Sequence, residues 1–446
     1  MLETSVLYLP IGRKTFDLAA AEVVWAETSE FLKKQCRTLH EPEHILTSIE
    51  ELEQFLQSVQ GQSIDSVVYQ SVTFADGEFA VKVLEYFKAP VIVWSVREPS
   101  VGGRLRLNSL TGGNSTCNVL KNLAHPFAFV FGNPSEPRLQ EKLHMQLQVN
   151  QVIHKLKQLS IGIVGEHPPG FFFSDSDEAE LQTALGVRLH KLDLQQAFSE
   201  CAKIDESRWI RAVERAEKQV VGLNRSDETV KKFAQFYSFL EDYIQENRIQ
   251  ALAVRCWPDF FNELGAAACS TLSQFTEGGI VSSCESDIHG SISMYVLQEL
   301  SGGSAPYLGD LVHVNEERNS VVFWHCGAGA YSLAHPSTGA QAGVHPNRKL
   351  GFTMEFGLKP GGVTIFRVSH TPSGYRLLVM RGNALDVPQP FNGTSVEVQL
   401  PHDVSRTLTG LMNEGFEPHF ALVYEDVVDA LIELGRQLGI ETIAYV

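Results

Sequence analysis

Two carboxylates and an imidazole stand where apolar runs begin or end, and together they have the makings of a divalent-cation site. Glu285 closes GIVSSC within VSSCESDIHG (residues 281–290), Asp310 closes PYLGD, and His419 stands in GFEPHF near the C-terminus. Oxygen and imidazole donors without thiolates suit a hard or borderline cation such as Mn²⁺ or Mg²⁺. His325, between VVFW and CGAG, is a further candidate. The same residue types also have structural uses. Ser286 or Asp287 can cap a helix starting near His289, turns collect Asp for local hydrogen bonds, and a His after a buried strand is often a satisfied core residue. The glycines of CGAG admit close backbone approach, but the GxGxxG spacing of a nucleotide site is absent.

Those side chains meet only if the surrounding elements bring them together. In the first third, short apolar runs (VLYL at 6–9, VVYQ at 67–70, VIVWS at 91–95, FAFVFG at 127–132) alternate with helical patterns at about 17–34, 77–87 and up to 157. Such alternation predicts βαβ units and a parallel sheet. A second α/β unit begins at LSIGIVG (159–165), is dominated by helical patterns over 177–247, and continues with ALAVRCW (251–257) and GIVSSCE (279–285), each followed by a helical pattern. Ligands gather beyond the carboxyl ends of strands in such sheets, where Arg255 to Trp257 and Glu285 fall. From about residue 303 the texture changes to short strands (VVFWHC, FTMEFG, VTIFRVS, YRLLVM, VEVQL) separated by KPGG, TPSGY and RGN. A strand at 419–424, a helix at 426–438 and a strand at 441–446 close the chain. The expected fold is therefore α/β: two Rossmann-like or flavodoxin-like α/β domains (1–157, and 158–302 carrying Glu285), followed by a C-terminal antiparallel β-barrel-like domain (303–446) carrying Asp310 and His419.

Composition narrows the partners. The chain has 446 residues, 43% of them hydrophobic, and a formal net charge of −17. No basic surplus exists to displace counterions from a nucleic acid or to hold an anionic membrane. Seven cysteines are scattered without a CxxC pair, so neither a disulfide framework nor a thiolate zinc site is expected. Reduced thiols, the lack of a signal-peptide pattern in MLETSVLYLPIGRKTF and the absence of a span-length apolar segment predict a cytoplasmic protein.

With these residues in view, the sequence resembles the L-fucose isomerase and L-arabinose isomerase superfamily, on the L-fucose isomerase-like branch. The resemblance covers most of the chain. It is carried by RCW, by CESDIHG with a helix behind it, by Asp310 some 25 residues further on, by WHCG, by PHFALVYEDVVDAL, and by GRK at 12–14. It implies that Glu285, Asp310 and His419 bind the metal, with Asp in the second slot the L-fucose isomerase pattern. It implies Mn²⁺, with Mg²⁺ or Co²⁺ as substitutes, and His325 as a fourth ligand or substrate contact. It further implies trimers or hexamers in which Arg13 reaches a neighbouring subunit's site. The chain is shorter than L-fucose isomerases, so parts that shape their pocket are missing.

The activity implied is interconversion of an open-chain aldose and its ketose. The metal polarises the carbonyl, and Glu285 and Asp310 act as the acid/base pair that moves a proton through an enediolate. Candidate sugar contacts are Gln70, Trp94, Arg97 and Asn108 at strand ends of the first domain, together with Arg13, Trp257 and His325. Arg97, Arg104 and Arg106 form a basic cluster able to clamp a phosphate or sulfonate. An alternative is therefore an isomerase of an anionic sugar, such as sulfoquinovose to sulfofructose. A non-catalytic sugar-binding protein and a metal-dependent lyase or epimerase are the other readings.

Overall fold

The structure, a computed structural model, describes residues 1–446. It divides into two compact units, Met1–His154 with Glu433–Gly439, and Lys155–Ile432 with Ile440–Val446.

The first unit is built on a parallel sheet of β1 (Leu2–Ile11), β2 (Cys36–His40), β3 (Ser66–Ser71), β4 (Val91–Ser95) and β5 (Phe127–Phe131), in the order β2-β1-β3-β4-β5. This is the flavodoxin-like order. The apolar runs are continuous because both faces are covered. Leu7, Leu9, Val67, Tyr69, Val91 and Val93 pack on one face, and Val6, Tyr8, Val68, Ile92 and Trp94 on the other. The glycine-containing segment after β4 forms a helix, Ser109–Asn122. Its glycines serve packing: a Cβ at Gly113 would overlap Ser95 Oγ, so the helix lies against the sheet only without one.

The second unit begins with another parallel sheet. Its strands are β6 (Ser160–Val164), β7 (Arg188–Leu192), β9 (Ala251–Val254) and β10 (Val281–Cys284), with the two-residue β8 (Val220–Val221) lying between β7 and β9 in the chain. The order β10-β9-β6-β7 repeats the flavodoxin-like pattern. Strand β7 falls inside the stretch where the sequence predicts helices. RLHKL is an edge strand with a single fully buried residue, so it carries no apolar run.

The remaining strands are β11 (Tyr307–Asn315), β12 (Ser320–His325), β13 (Ala340–Gly343), β14 (Thr353–Gly357), β15 (Gly361–Thr371), β16 (Gly374–Ala384), β17 (Thr394–Gln399), β18 (His419–Val423) and β19 (Glu441–Tyr445). Strands β16-β15-β18-β11-β12-β17 follow one another, and β17 pairs back onto β16, closing a six-stranded antiparallel barrel. Closure leaves those strands no free edge. One apolar core runs from Leu252 and Val254 of the parallel sheet to Phe323, Ile365 and Leu422 of the barrel. No helix is long and apolar enough to cross a membrane.

Candidate functional site

Glu285 leaves β10 in a strained turn. It and Ser286 both adopt left-handed backbone conformations, with φ of 58° and 53°, at a cost of about 1–3 kcal/mol each. The turn is held by Ser286 N–H on the Val254 carbonyl at 3.1 Å, Asp287 N–H on the Cys284 carbonyl at 3.1 Å, and Ser286 Oγ on the Gly165 carbonyl at 3.1 Å. Glu285 thereby lies at the carboxyl edge of the sheet, where its Oε1 accepts from Trp257 Nε1 at 2.9 Å. Opposite stands the barrel. The β11–β18 register pairs Asp310 directly with His419. His419 Nε2 is 3.3 Å from Glu285 Oε2 and 3.5 Å from Asp310 Oδ1.

The other face of His419 is fixed by Asp287. This residue caps the helix Ile288–Leu300, with Oδ1 accepting from Gly290 N–H at 2.8 Å. Its Oδ2 accepts from His419 Nδ1 at 2.8 Å, and the Arg367 guanidinium donates to both of its oxygens at 2.5 and 3.1 Å. Both Arg367 and Asp287 are fully buried. Such a charge is tolerable only when paired and hydrogen-bonded, and burial of Asp287 is outweighed by Arg367 and His419, which hold its carboxyl well below the ordinary range. The expected cap thus exists, with an additional role in orienting His419.

With Nδ1–H committed to Asp287, Nε2 points at two carboxylate oxygens. It is buried and has no hydrogen-bond partner. Burial opposes charging this ring, but Asp287, Glu285 and Asp310 outweigh it and raise its pKa to about 10. Burial also raises the Asp310 carboxyl, against the pull of His419 and His325. The arrangement calls for a positive charge among the three side chains. Two carboxylates and a carboxylate-oriented imidazole fit a divalent cation, with Asp287 as the outer partner of the His.

Glu285 and Asp310 border a cavity of about 320 Å³, with His419 fully buried behind them. Its lining includes Phe171, Trp257, Glu285, Asp310, Trp324, His325 and a loop bearing His345, Asn347 and Arg348. Phe171 meets Trp257 edge-on at 5.1 Å, and Phe173 meets His419 edge-on at 5.2 Å. These rings limit water access to the imidazole. Buried thiols lie nearby. Cys256 and Cys284 are 2.9 Å apart, Cys269 and Cys326 3.3 Å apart, and the donor atoms of Cys284, His325 and Cys326 lie within 4.8 Å of one another. All seven cysteines are free, and four of these buried thiols converge beside the cavity. The thiols come from separate strand and helix ends, so no CxxC spacing announces them.

Two family models match the chain: "Fucose/sulfoquinovose isomerase, N-terminal domain" over residues 8–157, and "L-fucose isomerase, C-terminal domain" over 347–445. A sulfoquinovose isomerase of Priestia megaterium is 70% identical over 446 residues, the whole of both chains. Another, of Alkalicoccus urumqiensis, is 57% identical over 98% of this chain and 99% of its own. A third, of Clostridium sp. strain MSTE9, is 40% identical over the full length of both. The chain belongs to the fucose/sulfoquinovose isomerase family. It is therefore a sugar isomerase, and the resemblance drawn from CESDIHG, Asp310 and the late His419 holds.

The expected sugar contacts of this isomerase fare unevenly. Trp257 and His325 do line the cavity. The others belong to the first unit. Two of them lie in its core. Gln70 is fully buried in the central strand β3, accepting from Tyr8 Oη at 2.5 Å and donating to Thr28 at 3.0 Å. Trp94 is fully buried in β4 and donates to the Gly132 carbonyl at 2.8 Å. Neither offers a free polar group to a ligand. Asn108 starts the helix Ser109–Asn122 with a left-handed φ of 55°. Arg13 pairs with Asp76 on the surface. In the expected anion clamp, Arg97 donates to both Glu136 oxygens at 2.6 and 2.8 Å, Arg106 pairs with Asp17 at 2.8 Å, and Arg104 donates to the Thr15 carbonyl at 2.8 Å. Arg97 and Arg106 are thus in ion pairs with carboxylates, and Arg104 is in none. The sequence reading missed Arg367, Phe171 and Arg348. A buried Arg in a β-run (VTIFRVS) was a legible signal for the first. The other two lie in loops whose path no periodicity fixes.

Proposed function

We propose that this isomerase interconverts sulfoquinovose and its ketose, sulfofructose, at a divalent-cation site formed by Glu285, Asp310 and His419. The full-length 70% identity to sulfoquinovose isomerases carries the choice of substrate. The buried Nε2 of His419, 3.3 and 3.5 Å from two carboxylates, supports the cation. Mn²⁺ is the first candidate, and Mg²⁺ or Co²⁺ also match the donor set.

When bound, the cation supplies Lewis-acid polarisation of the carbonyl and acidifies the neighbouring hydroxyl. The chain supplies the rest. Glu285, oriented by the Trp257 N–H, takes the C2 proton of the open-chain aldose and returns it to C1 of the enediolate. Asp310, whose carboxyl burial shifts towards the protonated form, moves protons at the substrate oxygens. His419 holds its place through Asp287 and transfers no proton. Phe171 and Phe173 keep bulk water from the enediolate.

The test is ketose formation from sulfoquinovose, followed by NMR with and without exhaustive chelation. Conversion with Mn²⁺ that stops on chelation is expected. No conversion with any of the three metals would refute the substrate. An undiminished rate in the chelated protein would refute the cation.

A further inference from the structure

Among the side chains lining the cavity, Arg348 is the one permanent cation. It makes no ion pair, and its guanidinium has no hydrogen-bond partner. It stands instead over the face of Trp257 at 5.6 Å and near Phe261 at 5.9 Å. The same indole holds Glu285 through its N–H edge. Arg348 and Glu285 thus meet the same indole, one over its face and the other at its N–H edge, and both line the cavity with Asp310. A charged head left uncommitted beside two carboxylates is unusual in a chain of net charge −17. Its position is held by the contacts with Trp257 and Phe261.

The loop is ordered by His345. Its Nδ1 accepts from the backbone N–H groups of Asn347 at 3.3 Å and Arg348 at 3.2 Å, and its ring packs edge-on against Phe261 at 5.0 Å. With Nδ1 an acceptor, the ring proton is on Nε2, which makes His345 a donor on the cavity wall. The loop therefore presents a guanidinium, an imidazole N–H and the Asn347 amide to the cavity.

Resting on the sulfoquinovose reading, we propose that Arg348, with His345 and Asn347, is the subsite that binds the sulfonate on C6. With C1 and C2 at Glu285 and Asp310, an extended six-carbon chain runs along the indole and puts its last carbon at the Arg348 end. A sulfonate offers three oxygens to a guanidinium fork, the geometry arginine fits best. It is a monoanion, and a single cation neutralises it. A phosphate, carrying about −1.5 to −2, would leave uncompensated charge facing Glu285 and Asp310. The subsite thus selects sulfonate over both a neutral C6 and a phosphorylated one.

The experiment is steady-state kinetics of wild type, R348Q and R348K on sulfoquinovose. Quinovose, the same sugar with hydrogen in place of the sulfonate, and glucose 6-phosphate are each tested as substrate and as competitor. Thermal unfolding confirms that the variants are folded. In R348Q the KM for sulfoquinovose is expected to rise roughly 10- to 100-fold, R348K recovers part of the loss, and the inhibition constant of quinovose moves far less. Equal changes for sulfoquinovose and quinovose, or no change for either, overturn the subsite. If glucose 6-phosphate is the better wild-type substrate and loses that advantage in R348Q, the choice of sulfonate is overturned. A wild type that does not turn over sulfoquinovose refutes the proposed function itself, whatever the variants do.

Discussion

Asp310 and His419 are direct cross-strand partners in the β11–β18 ladder, and that pairing brings Oδ1 of one to 3.5 Å from Nε2 of the other. A one-residue slip of either strand would turn its side chain to the opposite face. The barrel therefore sets the site by its register, and Glu285 is brought to it by a strained turn at the end of a different sheet.

Removing either carboxylate should stop chemistry while leaving the fold. Glu285→Gln and Asp310→Asn are expected to lower kcat by about 10²- to 10⁴-fold. Glu285 is a partly exposed loop residue in a costly backbone conformation, so thermal stability should change little. A Glu285→Gln variant that keeps wild-type turnover would exclude this residue as the base.

Asp287 should act through His419 and Arg367. Asp287→Asn leaves the buried guanidinium with Glu417, 3.6 Å from its Nε, as its remaining charge partner, so a loss of about 3 kcal/mol is expected on chemical unfolding. It also removes the acceptor that orients His419, which should weaken Mn²⁺ binding by about 10- to 100-fold. Calorimetric titration of the folded variant with Mn²⁺ checks the second effect separately from the first. Unchanged affinity would show that Asp287 serves only as helix cap and counter-ion.

The glycine behind that cap has little latitude. A Cβ at Gly290 would overlap the Asp287 carboxylate. Gly290→Ala should therefore destabilise by about 1–3 kcal/mol and lower Mn²⁺ affinity in the same direction as Asp287→Asn. Denaturant unfolding and metal titration measure both. An alanine variant of wild-type stability would mean that the carboxylate can move aside freely.

His419 gives the metal-free protein a definite pH signature. Its pKa rises from 6.5 to about 10 in the folded state, so folding favours the protonated ring. The resulting stabilisation is fully present below about 6.5 and is lost as pH rises through about 10. Melting temperatures of the chelated protein should fall across that window, and much less so for His419→Asn. At pH 7.5, loading with Mn²⁺ should release about one proton per site, because the proton and the cation compete for Nε2. Titrations in buffers of different ionisation enthalpy would reveal the release, and its absence would place the cation elsewhere.

Trp257 should matter through its N–H. Trp257→Phe keeps an aromatic surface but removes the 2.9 Å bond to Glu285 Oε1. A fall in kcat of about 10-fold is expected from the loosened base, with a smaller change in KM. A change confined to KM would assign the indole to sugar binding alone.

Most elements and their kind are legible in local pattern. Buried parallel strands are continuous apolar runs, so VVYQ, VIVWS, LSIGIVG and GIVSSCE were legible as strands. Glu285 could be placed at a strand end, and the motif resemblance carried Asp310 and His419 with it. What local pattern carries poorly was lost: the edge strand RLHKL, with little apolar surface, and the helix at 109–122, whose glycines serve packing. Everything else depends on packing between distant segments. Gln70 and Trp94 stand at strand ends as ligand contacts do, and only the covering of both sheet faces makes them core. Arg97, Arg104 and Arg106 form a cationic cluster in sequence, and only folding supplies the Glu136, Asp17 and Thr15 partners that occupy them. Conversely, Arg348 has no local signal, and only the loop path leaves its charge unpaired above Trp257. The physical reason is the same throughout. Periodicity records which way a side chain faces relative to its own element, whereas a site depends on which distant group meets it there, and that is fixed by strand register and packing.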